Sequence, residues 1–205
     1  MGVLDRYEFY KSAITGYMDT SMDYKNTAFP GNSQGTCAAQ VLYWFMGLAG
    51  QIKTETGVKE SLLSPSQKAT SLQFTALNSD TVGILKKNAT DFVDLRGVRS
   101  AEMIKKLTPF SGTYKFYGIA SDKGHGHALG AYFPWMGKNQ FYDPNLVAGP
   151  CSEDKWLYEL LAMWPGLYLG CGEQGATWGF EYLFVFNDPK KTIEALETKL
   201  VLDQI

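Results

Sequence analysis

Apolar residues change their spacing partway along the chain, and the change separates a helical first half from a strand-rich second half. Over residues 4–17, Leu4, Tyr7, Phe9, Ile14 and Tyr17 recur at roughly helical intervals and predict an amphipathic helix. Residues 19–36 turn polar and end in Pro30-Gly31-Asn32-Ser33-Gln34-Gly35, which is loop composition. From Thr36 to about Ala49 the pattern is apolar almost all round, with Cys37, Ala38, Val41, Leu42, Trp44, Phe45 and Leu48. A helix without a polar face is buried on every side, and Gly50 is a natural stop for it. Ser64-Pro65-Ser66-Gln67 offers an N-cap, a proline at the first helical position and a glutamine at the third, so a helix is predicted from there to about Leu77. Asn78-Ser79-Asp80 reads as an interruption before a second helical piece ending near Lys87, and Ser100 caps a short helix over 101–107 halted by Pro109.

Beyond this point the period becomes two. Residues 113–120 (TYKFYGIA) and 127–134 (HALGAYFP) predict strands, and Gly137-Lys138-Asn139 predicts a tight hairpin turn into a strand at Gln140-Phe141-Tyr142-Asp143. Ser152, followed by Glu153 and Asp154, opens a helix that ends before Pro165-Gly166. A glycine-rich loop over 170–179 leads to a strand at 180–186 (FEYLFVF), and Asp188-Pro189 starts a terminal helix. Helices first and an antiparallel meander later give an α+β fold. No repeat or linker divides the chain, so residues 1–205 read as a single domain.

Composition narrows the function without naming it. The 205 residues are 45% hydrophobic and 20% charged, ample for a real core. A net charge of −2 forecasts neither a nucleic-acid nor an acidic-membrane partner. No apolar run approaches a membrane span, and MGVLDRYEFYKSAI lacks the features of a secretory signal. Arg6 stands where a myristoylation signal at Gly2 needs Ser or Thr. Three cysteines suit a reducing compartment, with at most one bridge, Cys151 to Cys171.

The chemistry rests on few residues. Cys37 sits at the first turn of the buried helix, just after a polar loop. Unpaired N–H groups and the aligned peptide dipoles at a helix start stabilise a thiolate, and the same N–H groups suit an oxyanion. Such a nucleophile needs a base, and the chain holds only His125 and His127. His127 heads a strand that holds its backbone, whereas His125 lies in a Gly-flanked turn, so His127 is the preferred base. No third ligand follows the histidines at a recognisable spacing for zinc. Asp143 ends the strand expected to pair with the one His127 begins, which suits it to orient the imidazole; Asn145 is a possible substitute. Trp178, Trp135 and Tyr132 are aromatic enough to line a groove, although aromatics more often fill cores.

Gly35-x-Cys37 opening an apolar helix that contains Trp44, then His127-Ala128 opening a strand, then Phe141-Tyr142-Asp143-Pro144-Asn145, resembles the YopT/AvrPphB family of bacterial effector cysteine proteases. The sixteen-residue step from His127 to Asp143 is the most specific part of the likeness. The resemblance implies a papain-like fold with Cys37 as nucleophile, His127 as general base and acid, and Asp143 as orienter. It also implies an effector secreted into a host cell, where it cleaves a specific host protein without metal or cofactor. Enzymes of this kind complete the oxyanion hole with a side-chain amide upstream of the cysteine. The usual glutamine, six residues before, is replaced here by Gly31, which leaves Asn32 or Gln34. Two rivals stand beside proteolysis: a glutamine deamidase or transglutaminase using the same thioester, and a non-catalytic binding module in which Cys37 is merely packed.

Overall fold

The computed structural model describes residues 37–50, 79–97, 111–124, 126–144, 147–151 and 176–202. The helices expected over 4–17, 64–77 and 101–107 and from Ser152, and most of the glycine-rich loop, lie outside them. Within them the order is α1 (Cys37–Leu48), α2 (Ser79–Asn88), β1 (Asp91–Asp94), β2 (Thr113–Ser121), β3 (Gly126–Phe133), β4 (Gln140–Asp143), β5 (Val147–Pro150), β6 (Trp178–Phe186) and α3 (Pro189–Leu202). The strands form one antiparallel sheet in the order β1-β6-β2-β3-β4-β5. Helices beside an antiparallel sheet make the fold α+β.

Side chains alternate across a strand, so each strand has two faces to cover. Tyr114 and Phe116 of β2, Ala128 of β3, Tyr142 of β4, and Phe184 and Phe186 of β6 point to one face. There they meet Val41, Leu42, Trp44 and Phe45 of α1 and Ile193 and Leu196 of α3, a single apolar cluster. The opposite face carries Tyr117, Leu129, Phe133 and Phe141, which are buried as well. α1 packs chiefly on β3. Close approach there depends on Gly130, where a Cβ would fall 2.9 Å from both Val41 Cγ1 and Trp44 Cζ3.

The register of β6 on β2 slips once between Gly118 and Ile119, so that Tyr182 and Phe180 face successive residues and Glu181 is extra. On the other side of β6 the β1 register runs on undisturbed, with the Leu95 N–H donating to the Glu181 carbonyl at 2.8 Å. The β2–β3 turn is tied down by Asp122, which accepts from the Thr177 N–H at 3.0 Å and its hydroxyl at 2.8 Å. Asp188 accepts from the Lys190 N–H at 3.1 Å and caps α3, with Pro189 at its first position as the sequence predicts.

Several expectations need correction. Ser79 and Asp80 are the first turn of α2 rather than part of a break, because a Ser-Asp pair is as good a helix opening as it is a loop. The helix also runs one residue further, to Asn88, whose side-chain amide donates to the Ile84 carbonyl at 2.9 Å. The β3–β4 connection is not a tight turn at 137–139 but spans residues 134–139, and the Cys151 N–H donating to the Asn139 carbonyl at 2.8 Å extends the β4–β5 ladder by one rung beyond it. Two strands were not foreseen, β1 and β5, both four residues long and both at the edges of the sheet.

Candidate active site

Cys37 is the first residue of α1, where the helix still has N–H groups without intrahelical acceptors. His127 is the second residue of β3, and Asp143 is the last of β4. The β3–β4 ladder pairs Gly130 with Tyr142, so continuing the register sets Leu129 opposite Asp143. His127 is therefore one diagonal step from Asp143 on the same sheet face, within reach of a side-chain contact. The imidazole Nε2–H donates to Asp143 Oδ1 at 2.9 Å. A hairpin brings its open ends together, as the sequence predicts for these two residues, and His127 and Asp143 are in contact.

The thiol of Cys37 hydrogen-bonds to the same imidazole. With Nε2 committed to Asp143, Nδ1 is the ring nitrogen left for the sulfur. Relative exposures are 6% for Cys37, 8% for His127 and 0% for Asp143, so all three groups interact away from bulk water, where charge–charge terms are strong.

Burial alone pushes the Cys37 thiol up, but the His127 charge and hydrogen bond, with backbone hydrogen bonds from Ala128 and Ala38, hold it below its ordinary value. Burial likewise pulls the His127 imidazole down. The Asp143 and Cys37 charges and their hydrogen bonds reverse that and raise it well above the usual histidine range. One group lowered and its partner raised is the direction that a thiolate–imidazolium pair requires. The Ala128 N–H that supports the sulfur is one residue beyond the last β3 residue opposite β4 and lies next to His127 in sequence. Nothing in the local sequence marked it.

Other candidates fall elsewhere. His125, Asn145, Asn32, Gln34 and Cys171 lie outside the described residues. Trp135 is 80% exposed at the β3–β4 loop, at the opposite end of β3 from His127. Tyr132 stacks on Tyr114 with ring centroids 4.4 Å apart. Trp178 is half-buried at the start of β6, separated from β3 by β2. Cys151 is buried beside β5. Among the described residues no group of three or more His, Cys, Asp and Glu is arranged to hold a metal ion. Among the same residues no helix is long and apolar enough to cross a membrane.

The architecture defines a class: an α+β fold in which the first residue of a buried helix meets an imidazole borne by an antiparallel sheet. A solved structure similar to this chain is that of the Pseudomonas avirulence protein AvrPphB, at 16% identity and a TM-score of 0.55. The likeness covers 83% of this chain and 98% of that one, and at such identity it is a likeness of fold. No protein-family model matches the chain, and no curated protein matches it by sequence.

Proposed function

We propose that the chain is a papain-like cysteine endopeptidase, a single domain over residues 1–205 that acts as a bacterial effector on a host protein. One observation carries the reading: the thiol at the start of α1 meets an imidazole whose other nitrogen is held by a buried carboxylate at 2.9 Å. The fold likeness to AvrPphB supports it independently, because that protein lends its name to the family the sequence patterns resemble.

In the proposed reaction the Cys37 thiolate adds to a peptide carbonyl, and the carbonyl π electrons move onto oxygen to give a tetrahedral oxyanion. N–H groups at the start of α1 are the proposed backbone donors to that oxyanion, with Asn32 or Gln34 as the proposed amide donor. The His127 imidazolium then gives its proton to the departing amine as the C–N bond breaks, leaving a thioester. The neutral imidazole next takes a proton from water, which attacks the thioester and releases the acid and the thiolate. Asp143 keeps the ring oriented and stabilises its charged form throughout. Neither a metal nor an organic cofactor enters these steps.

The test is mass spectrometry of host-cell protein incubated with the wild-type chain and with Cys37→Ala. New peptide termini that appear only with the wild type support proteolysis. Intact chains carrying a gain of about one dalton at glutamine would replace it with deamidation by the same thioester chemistry. Identical digests from both proteins would leave Cys37 a packed side chain and overturn the reading.

A further inference from the structure

Gln40 is fully buried in α1, and its Oε1 accepts the Tyr142 hydroxyl at 3.1 Å across 102 residues of sequence. Tyr142 is fully buried too, with its ring 5.2 Å from that of Trp44. An amide in an apolar core costs free energy unless its polar atoms are bonded, whereas an apolar side chain there would pack without that demand. A directional bond fixes orientation where dispersion contacts alone let surfaces slide.

The location gives this link a consequence for the sulfur. Cys37, Gln40, Val41 and Trp44 stand at helical positions i, i+3, i+4 and i+7, one stripe of α1. Val41 and Trp44 rest on Gly130 of β3, and Gln40 reaches β4. Where that stripe lands sets how far along the hairpin Cys37 sits. On the sheet side, Tyr142 is the immediate neighbour of Asp143, and alternation sends their side chains to opposite faces. One rigid dipeptide thus grips the cysteine helix on one face and the imidazole on the other.

We infer that the Gln40–Tyr142 hydrogen bond is a positioning device that sets the Cys37–His127 alignment, so that both residues act through the thiol and imidazole rather than on substrate. The inference rests on the ion pair of the proposed function. A misplacement of about 1 Å in such a site is enough to lose roughly 10²-fold in rate.

The experiment measures iodoacetamide alkylation of Cys37, read by peptide mass spectrometry at pH 6 and pH 9.5, for the wild type, Tyr142→Phe, Gln40→Met and the double variant. Melting temperatures are recorded alongside. At pH 6 only a paired thiol reacts, whereas at pH 9.5 ionisation depends far less on the partner and the rate reports chiefly on access to the sulfur. Each single substitution is expected to lower the pH 6 rate about tenfold and to leave the pH 9.5 rate within twofold. The double variant is expected to match either single one, since the two side chains share one interaction. Single variants that keep the wild-type pH 6 rate, even with lower melting temperatures, would reduce the bond to ordinary core structure and overturn the inference. Losses that multiply in the double variant would overturn it as well. A wild type inert at pH 6 removes the ion pair itself, and the proposed function fails before the variants are compared.

Discussion

A sulfur buried in protein is normally a poor nucleophile, because desolvation disfavours its charged form. At Cys37 that penalty is the largest single influence, and the thiol is lowered because His127 answers it with charge and a hydrogen bond, helped by backbone hydrogen bonds from Ala128 and Ala38. The imidazole in turn depends on Asp143, whose charge is the first of the effects raising it. Removing that charge acts on both partners. In Asp143→Asn, His127 loses support for its imidazolium and titrates at lower pH, so the alkaline limb of the activity profile moves down. The thiolate then has less cation beside it and titrates at higher pH, so the acid limb moves up. The active window, which opens below the ordinary thiol value and closes above the ordinary imidazole value, narrows from both sides as a property of the coupled pair. A fall of roughly 10²- to 10⁴-fold in kcat/KM is expected, from the size of general acid–base contributions. A full pH–rate profile checks both limbs. An unchanged profile would show that the 2.9 Å contact is only structural.

The elements explain why some of this was legible in the sequence and some was not. β2, β3, β4 and β6 announce themselves because they are rich in aromatic and other apolar residues over four to nine positions, and α1 because it lacks a polar face. The histidine and the aspartate were found together because hairpin register is a local property, fixed by the connection between neighbouring strands. β1 is only DFVD, bounded by aspartates, and finds its partner at residues 182–185, so no local pattern reveals it. β5 is VAGP, whose Gly and Pro read as loop and are tolerated because the strand lies at an edge. The Gln40–Tyr142 bond joins residues 102 apart, and periodicity carries no information on such a pair. Gly130 is a similar case, since its role exists only once α1 lies on β3. Gly130→Ala would place a methyl 2.9 Å from buried side chains of Val41 and Trp44, so α1 must shift or the side chains must leave their rotamers. Overpacking of this kind costs about 1–3 kcal/mol. The expected result is a lower melting temperature together with slower alkylation of Cys37 at pH 6, since the displaced helix carries the thiol. A stability loss without the reactivity loss would show that the helix absorbs the methyl locally.

For the molecule as a whole, one core holds the site and the frame that supports it. Cys37, Val41 and Phe45 share a single apolar cluster with Leu85 of α2, Phe184 and Phe186 of β6, and Ile193 and Leu196 of α3. Late segments close the sheet onto early ones, with β6 joining β1 to β2 and α3 packing against α2. A fold built on such long-range contacts tolerates wide changes in sequence where volume and pattern are kept, which suits a likeness to AvrPphB at only 16% identity. It also separates two kinds of damage. Leu196 is fully buried in α3, so Leu196→Ala removes packing at the frame and is expected to cost about 2–5 kcal/mol. Against total stabilities of roughly 5–15 kcal/mol that is a large fraction, and the urea midpoint should fall with little change in slope. The proposed thiolate–imidazolium pair, however, draws its three residues from α1, β3 and β4. Well below the new midpoint, Cys37 of this variant should therefore keep its wild-type alkylation rate at pH 6 within about twofold, because the folded population still holds both partners in place. Reactivity that fell in step with stability would mean that the alignment of the pair is distributed through the entire core, and α3 would then belong to the device that makes the sulfur reactive.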